Sequence, residues 1–130
     1  MKALTIWQPW AGLIIVGAKP IENRKWAPKM AVGTRFAIHA GKDQTEVADW
    51  TIDEIAKKAH EGCWDTGMIL GTVEFRGIIR SAAELPEIDR KWFVGPVAWL
   101  LAAPERWKTP FRCKGALSLW EVPEEAYASV

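Results

Sequence analysis

The chain has little of what most covalent and metal chemistry requires. Two histidines, His39 and His60, and two cysteines, Cys63 and Cys113, are its soft metal ligands. His60 and Cys63 form one H-x-x-C pair, with no second pair at the spacing of a structural zinc site, so no metal is expected. The cysteines form no CxxC motif and lie far apart in sequence. They read as small buried side chains in a reducing compartment, not as a secreted disulfide framework. The serines, at 81, 118 and 129, stand in no G-x-S-x-G setting. "GKDQT" lacks the spacing of a phosphate-cradling loop. No cofactor is therefore expected. No apolar run approaches the roughly 20 residues that a membrane helix needs. The start, "MKALTIWQPW", is interrupted by Gln8 and Pro9 and does not read as a signal peptide. The expected location is cytoplasmic. A strong charge of either sign is missing too. Seventeen basic and sixteen acidic residues leave a net charge of +1, which argues against an unspecific coat on duplex DNA and leaves room for a local basic patch.

What is present fits one domain over residues 1–130, with 49% hydrophobic and 25% charged residues. Nine tryptophans stand against one tyrosine, enough for a core and for one or two stacking surfaces. "KALTIW" reads as a first strand and "QPWAGLIIVG" as a short buried helix, with Gly17 just past its end. Gly12 inside that helix predicts close backbone packing. Pro20 disfavours helix in "AKPIENRKW", so this stretch is expected to be extended, with Glu22, Arg24 and Trp26 on one face and Ile21 and Asn23 on the other. "TRFAIHA" alternates as a second strand. An amphipathic helix is predicted from about Asp43 to Ala59, with Asp43 and Glu46 at capping-box spacing. "GMILGTVEFRGIIR" reads as a long strand with bulges at Gly71 and Gly77. Residues 81–94 read as a loop, "PVAWLLA" as a central strand, and "PFRC" and "ALSLWEV" as two further short strands. Six or seven strands and two early helices imply an α+β domain on a small, bent, mixed β-barrel.

One stretch concentrates chemistry. "VGAKPIENRKW" sets Lys19, Glu22, Arg24 and Lys25 beside the buried helix. A lysine desolvated there has a lowered pKa and can act as base or nucleophile, while a neighbouring glutamate keeps it charged. A charged lysine with an arginine suits phosphate or carbonyl oxygens. The plainer reading is a solvated rim of weak ion pairs. His39 is either a satisfied structural histidine or a proton carrier lining a cleft. Glu74 and Arg76 read as an ion pair on a strand face. Trp7, Trp10 and Trp26 flank the charged stretch, and any of them left exposed is a stacking platform.

The stretch resembles the start of the ASCH domain family, which has a PUA-like barrel fold and the marker G-x-K-x-x-E-x-R. Here the marker stands as Gly17, Lys19, Glu22 and Arg24. "FAIHAGK", "GMILGTVEF", "GPVAWLL" and "CKGALSLWEV" extend the resemblance through nearly the whole chain. It implies a cleft between the first helix and the barrel that takes RNA, a nucleotide or a modified base, lined by Lys19, Glu22 and Arg24; His39, Trp10 and Trp26, from the residues themselves, are the further candidates for ligand contact. The leading expectation is thus a binding module for RNA or a nucleotide. A small bacterial branch similar in fold hydrolyses N4-acetylcytidine with a lysine, a threonine and a glutamate. Lys19 matches the lysine, but Glu22 stands where the threonine is expected. An amidohydrolase acting on N4-acylated cytidine is the alternative, with Lys19 and Glu22 as catalytic residues and Thr72 or Glu74 as replacements for the missing groups. A ribonuclease using Glu22 and His39 is a third.

Overall fold

The computed structural model describes residues 1–44 and 63–130. The first strand, β1, spans Lys2–Gln8 and leads into the helix α1, Trp10–Ile15. Pro9 has no N–H and its side chain caps nothing, so the buried Gln8 takes over: its Oε1 accepts from the Gly12 amide at 2.9 Å. Its Nε2 donates to the carbonyls of Cys63 at 2.7 Å and Asp65 at 2.9 Å, which fixes that segment against α1. Gly12 lets the segment come close, because a Cβ there would collide with the Trp64 ring and the Cys63 carbonyl. The packing expected at Gly12 is thus present.

Four further strands and a long one complete the sheet: β2 at Ile21–Arg24, β3 at Arg35–Gln44, β4 at Met68–Ile79, β5 at Val97–Arg112 and β6 at Leu119–Glu121. Their order is β2-β5-β4-β3-β1-β6, with β1 and β3 parallel and every other pair antiparallel. The expected α+β class holds, but the ladder does not close into a barrel. β2 and β6 are its edges. Alternation sorts the two faces of the sheet. Leu4, Ile6, Phe36, Ile38, Val73 and Phe75 join α1 in the main core, while Ala3, Ala37 and Ile69 pack on the other side with Trp107 and Ala126. Trp99 on β5 is fully buried at the centre of the main core, edge-on to Trp26, Phe36 and Phe75. Such pairs add about 0.5–1.5 kcal/mol each beyond burial.

Three expectations need correction. "PFRC" is no separate strand but the end of β5, which continues past Pro104 because a bulge absorbs it. Thr72 pairs with Glu105 and Glu74 with Ala102, leaving Ala103 (φ 46°) and Pro104 opposite Val73. The carbonyl freed at Ala103 accepts from Arg35 at 2.6 Å. Residues 81–94 contain two 3-10 helices, Ala82–Glu84 and Glu87–Trp92, and the tail forms a third at Glu124–Ser129 that buries Ala126. Asp43 lies in β3, not at a helix start, and the remainder of the predicted second helix falls outside the described residues. Cys63 and Cys113 are free thiols. Among the described residues no helix is long and apolar enough to cross a membrane.

Candidate functional site

The end of α1 places the first charged group. Gly17 adopts a left-handed φ of 85°, so the Gly17 amide reaches Ile14 O at 3.0 Å and the Ala18 amide reaches Leu13 O at 2.9 Å. Leu13 O also accepts from the Lys19 amide at 3.1 Å. The chain is thereby turned through a fixed path, and Lys19 leaves α1 pointing toward β2. Its ammonium donates to Ile21 O at 2.8 Å and to Glu22 Oε1 at 3.3 Å, and lies 5.7 Å from the centre of the Trp10 ring.

β2 then alternates as its sequence predicts. Ile21 is fully buried, while Glu22 and Arg24 share the other face, with Arg24 Nη2 3.0 Å from Glu22 Oε2. Glu22 therefore stands between two cations, one on each oxygen. The side chains of Lys19 and Glu22 are only 5% and 9% exposed, whereas that of Arg24 is 26% exposed. Burial pushes the Lys19 pKa down from 10.5, Glu22 opposes this by its charge and hydrogen bond, and Arg24 adds to the lowering.

The same arginine bridges the open side of the sheet. β6 pairs with β1 only from Lys2 to Leu4, so among the described residues no strand lies beside that edge of β1 beyond Leu4. Arg24, at the far edge of the sheet, donates Nη2 to Thr5 O at 2.9 Å. A side chain thus spans the seam where a barrel would have a ladder. The gap on this seam is a cleft of about 240 Å³ whose walls include Thr5, Trp7, Trp10, Glu22 and Arg24. Arg24 Nε is buried and has no hydrogen-bond partner among the described residues. Lys19 sits behind Glu22 and lines a separate recess of about 50 Å³ beside Gly17 and Pro104.

The other expected residues divide. Trp10 joins the cleft, edge-on to Trp92. Trp26 packs against Trp99, accepts from the Trp99 indole N–H at 3.0 Å, and lines an adjoining groove with Arg24 and Lys25. His39 does not meet Glu22. It is buried on the other side of Thr5, where Nε2 contacts Cys113 O at 2.8 Å and Nδ1 contacts Thr5 Oγ1 at 3.1 Å. A carbonyl only accepts, so Nε2 carries the proton and Nδ1 accepts from the Thr5 hydroxyl, which in turn accepts from Trp120 Nε1 at 3.1 Å. Burial holds the His39 pKa below 6.5, against the bond to Cys113. Thr72 accepts from Arg35, and Glu74 pairs with Arg76 at 3.5 Å; neither lines the cleft.

Three residues contribute beyond the expected lining, and of these the sequence marks only Trp7, as a flanking aromatic. Trp7 is 52% exposed and walls the cleft. Thr5 supplies the carbonyl that Arg24 caps. Asn23, on the face away from Glu22, accepts from the Val94 and Gly95 amides at 2.8 and 3.0 Å and donates to Trp92 O at 3.0 Å, so it ties the 92–95 loop to β2. Trp7 carried a signal, since it directly precedes the interruption at Gln8 and Pro9. The partners of Asn23 are distant in sequence and left none.

Comparison with known proteins bears on the fold. A model of the ASCH domain matches residues 4–119. The structure is similar to the crystal structure of ASCH from Zymomonas mobilis, with a TM-score of 0.60 and 17% identity over 98% of this chain and 91% of that one. Two mutant structures of that protein give TM-scores of 0.60 and 0.59 at 17% and 16% identity; each covers 98% of this chain, and 93% and 91% of the mutant chains. No curated protein matches the chain in sequence.

Proposed function

The chain belongs to the ASCH domain family, and from that premise we propose that it binds single-stranded RNA or a nucleotide in the cleft between β1 and β2. The observation that carries this reading is Arg24. It is anchored by Glu22 and by Thr5 O, yet keeps a quarter of its side chain exposed and one buried N–H that meets no acceptor among the described residues. An arginine so held presents donors of fixed direction to a phosphate or a base carbonyl. Trp7 and Trp10 supply apolar walls on which a base stacks. Glu22 orients both cations and accepts from a base edge where its oxygens remain accessible. The net charge of +1 suits a short strand better than a long duplex.

Titration of tryptophan fluorescence with ribonucleotides and short RNAs at two salt concentrations tests the reading. Binding weakens with salt, and Trp7→Ala loses about 1–3 kcal/mol of affinity while its melting temperature stays near wild type. Salt-independent binding, or full affinity in Trp7→Ala, would overturn it.

A second reading rests on the lowered pKa of Lys19. A neutral lysine is a nucleophile or base, and as a base it would take a proton from water attacking the acyl carbon of an N4-acylcytidine, while Glu22 carries a proton to N4 as the C–N bond breaks and cytidine and the carboxylate leave. The lysine must then leave its bonds to Ile21 O and Glu22. Release of cytidine from N4-acetylcytidine, lost in Lys19→Ala, supports this chemistry. Absence of release from folded protein refutes it.

A further inference from the structure

The seam cleft is not isolated. It shares Thr5 and Trp7 with a larger cavity of about 360 Å³ on one side, and Asn23 and Arg24 with a groove of about 460 Å³ on the other. Three depressions therefore follow one another across the surface, joined by residues common to each neighbouring pair.

Their linings repeat one chemistry. The groove has Trp26 beside the exposed Lys25, with Arg24 at its junction to the cleft. The cleft has Trp7 and Trp10 with Arg24. The larger cavity has Trp7 at its junction and the exposed Lys42 and Lys114 in its wall, with Asp43 as the opposing charge. Beyond it the run Arg106 to Lys114 carries Arg106, Lys108, Arg112 and Lys114, all exposed, and no acid. Each depression thus offers an aromatic face and at least one cation.

The larger cavity is also built rather than incidental. Gly115 lies so close to Thr5 Oγ1 and the His39 ring that a Cβ would collide with both. His39 meanwhile holds the Cys113 carbonyl. These contacts fix the 113–117 loop as a wall. Held in this way, the cavity keeps its shape without a ligand, which limits the ordering cost of binding.

We propose that these depressions are three consecutive nucleotide subsites, so that the ligand is a single strand of at least three nucleotides and not a free nucleotide. The proposal rests on the reading of the seam cleft as a nucleotide site and extends it. Stacking on tryptophan accepts any base, and the cations between the aromatic faces meet the backbone phosphates.

The test is a length series. Homo-oligoribonucleotides of C, U and A, from one to five nucleotides, are titrated against wild type, Lys25→Glu and the double variant Lys42→Glu, Lys114→Glu. Both variants change exposed side chains only. In wild type, affinity rises about tenfold for each added nucleotide up to three and then levels, the factor expected from one stacked base. The slope of log affinity against log salt approaches about −2 for three phosphates on a single strand. Each variant binds the mononucleotide as wild type does but loses about tenfold on the trinucleotide. Affinity that levels at one nucleotide, or equal loss at every length, overturns the subsites and leaves the central cleft standing. Failure of wild type to bind any length overturns both readings together.

Discussion

Replacing Glu22 with Gln removes the anion between Lys19 and Arg24 and tests whether the three residues form a buried unit. The magnitude follows from exposure. Lys19 and Glu22 are 5% and 9% exposed, so their pair lies in the regime where loss of one partner costs about 3–5 kcal/mol. Arg24, at 26%, can turn into the cleft and rehydrate, so its share is nearer the surface value of under about 1 kcal/mol. A ceiling exists, because Lys19 can shed its proton. From its ordinary 10.5, that costs no more than about 5 kcal/mol at pH 7, at about 1.4 kcal/mol per unit. The expected loss at about pH 7 is thus about 3–5 kcal/mol, a large part of a small domain's stability. The pH dependence has a defined sign. Without Glu22, nothing opposes the lowering of the Lys19 pKa by burial, so the folded protein gives up this proton at lower pH than the unfolded chain does. Stability then rises with pH until 10.5, and the rise begins at lower pH than in wild type, where Glu22 opposes the shift. Urea unfolding from about pH 6 to about pH 10 measures both terms. A Lys19→Met, Glu22→Gln double variant recovers much of the loss, because it removes the amine that must otherwise stay charged without its partner or shed its proton. A loss below about 1 kcal/mol with no change in pH slope would show a solvated rim instead and refute the argument.

Two further outcomes follow from the packing. Stability falls as pH drops below 6.5, because the unfolded chain protonates its histidine there while folded His39 resists until lower pH; thermal melts show this acid limb, and His39→Gln flattens it. Gly12→Ala lowers the melting temperature despite the better helix propensity of alanine. The added methyl meets the Trp64 ring and the Cys63 carbonyl, an overpacking cost of about 1–3 kcal/mol, and a rise in melting temperature would contradict that contact.

Local signals carried most of the site. Pro20 broke the helix, alternation put Glu22 and Arg24 on one face, and Gly17 marked the turn that delivers Lys19. Each depends on residues a few positions apart. What remained hidden depends on distant partners. Which of the flanking tryptophans is left most exposed, Trp7 at 52%, depends on packing by elements far away in sequence. The continuity of β5 past Pro104 depends on a bulge facing β4. The separation of His39 from Glu22 depends on Thr5, which gives its carbonyl to one neighbourhood and its hydroxyl to the other.

An open sheet has two strands that could recruit a like strand from another molecule, and a protein of net charge +1 has little long-range repulsion to keep such molecules apart. The dimensions of the edges supply the protection that charge does not. β2 offers four residues, preceded by Pro20, and ends at Arg24, which crosses its outer side to reach Thr5. β6 offers three, with Glu121 held by Lys2 at 3.0 Å. Edges so short and so charged give an incoming strand little ladder to extend, so an open seam need not seed aggregation.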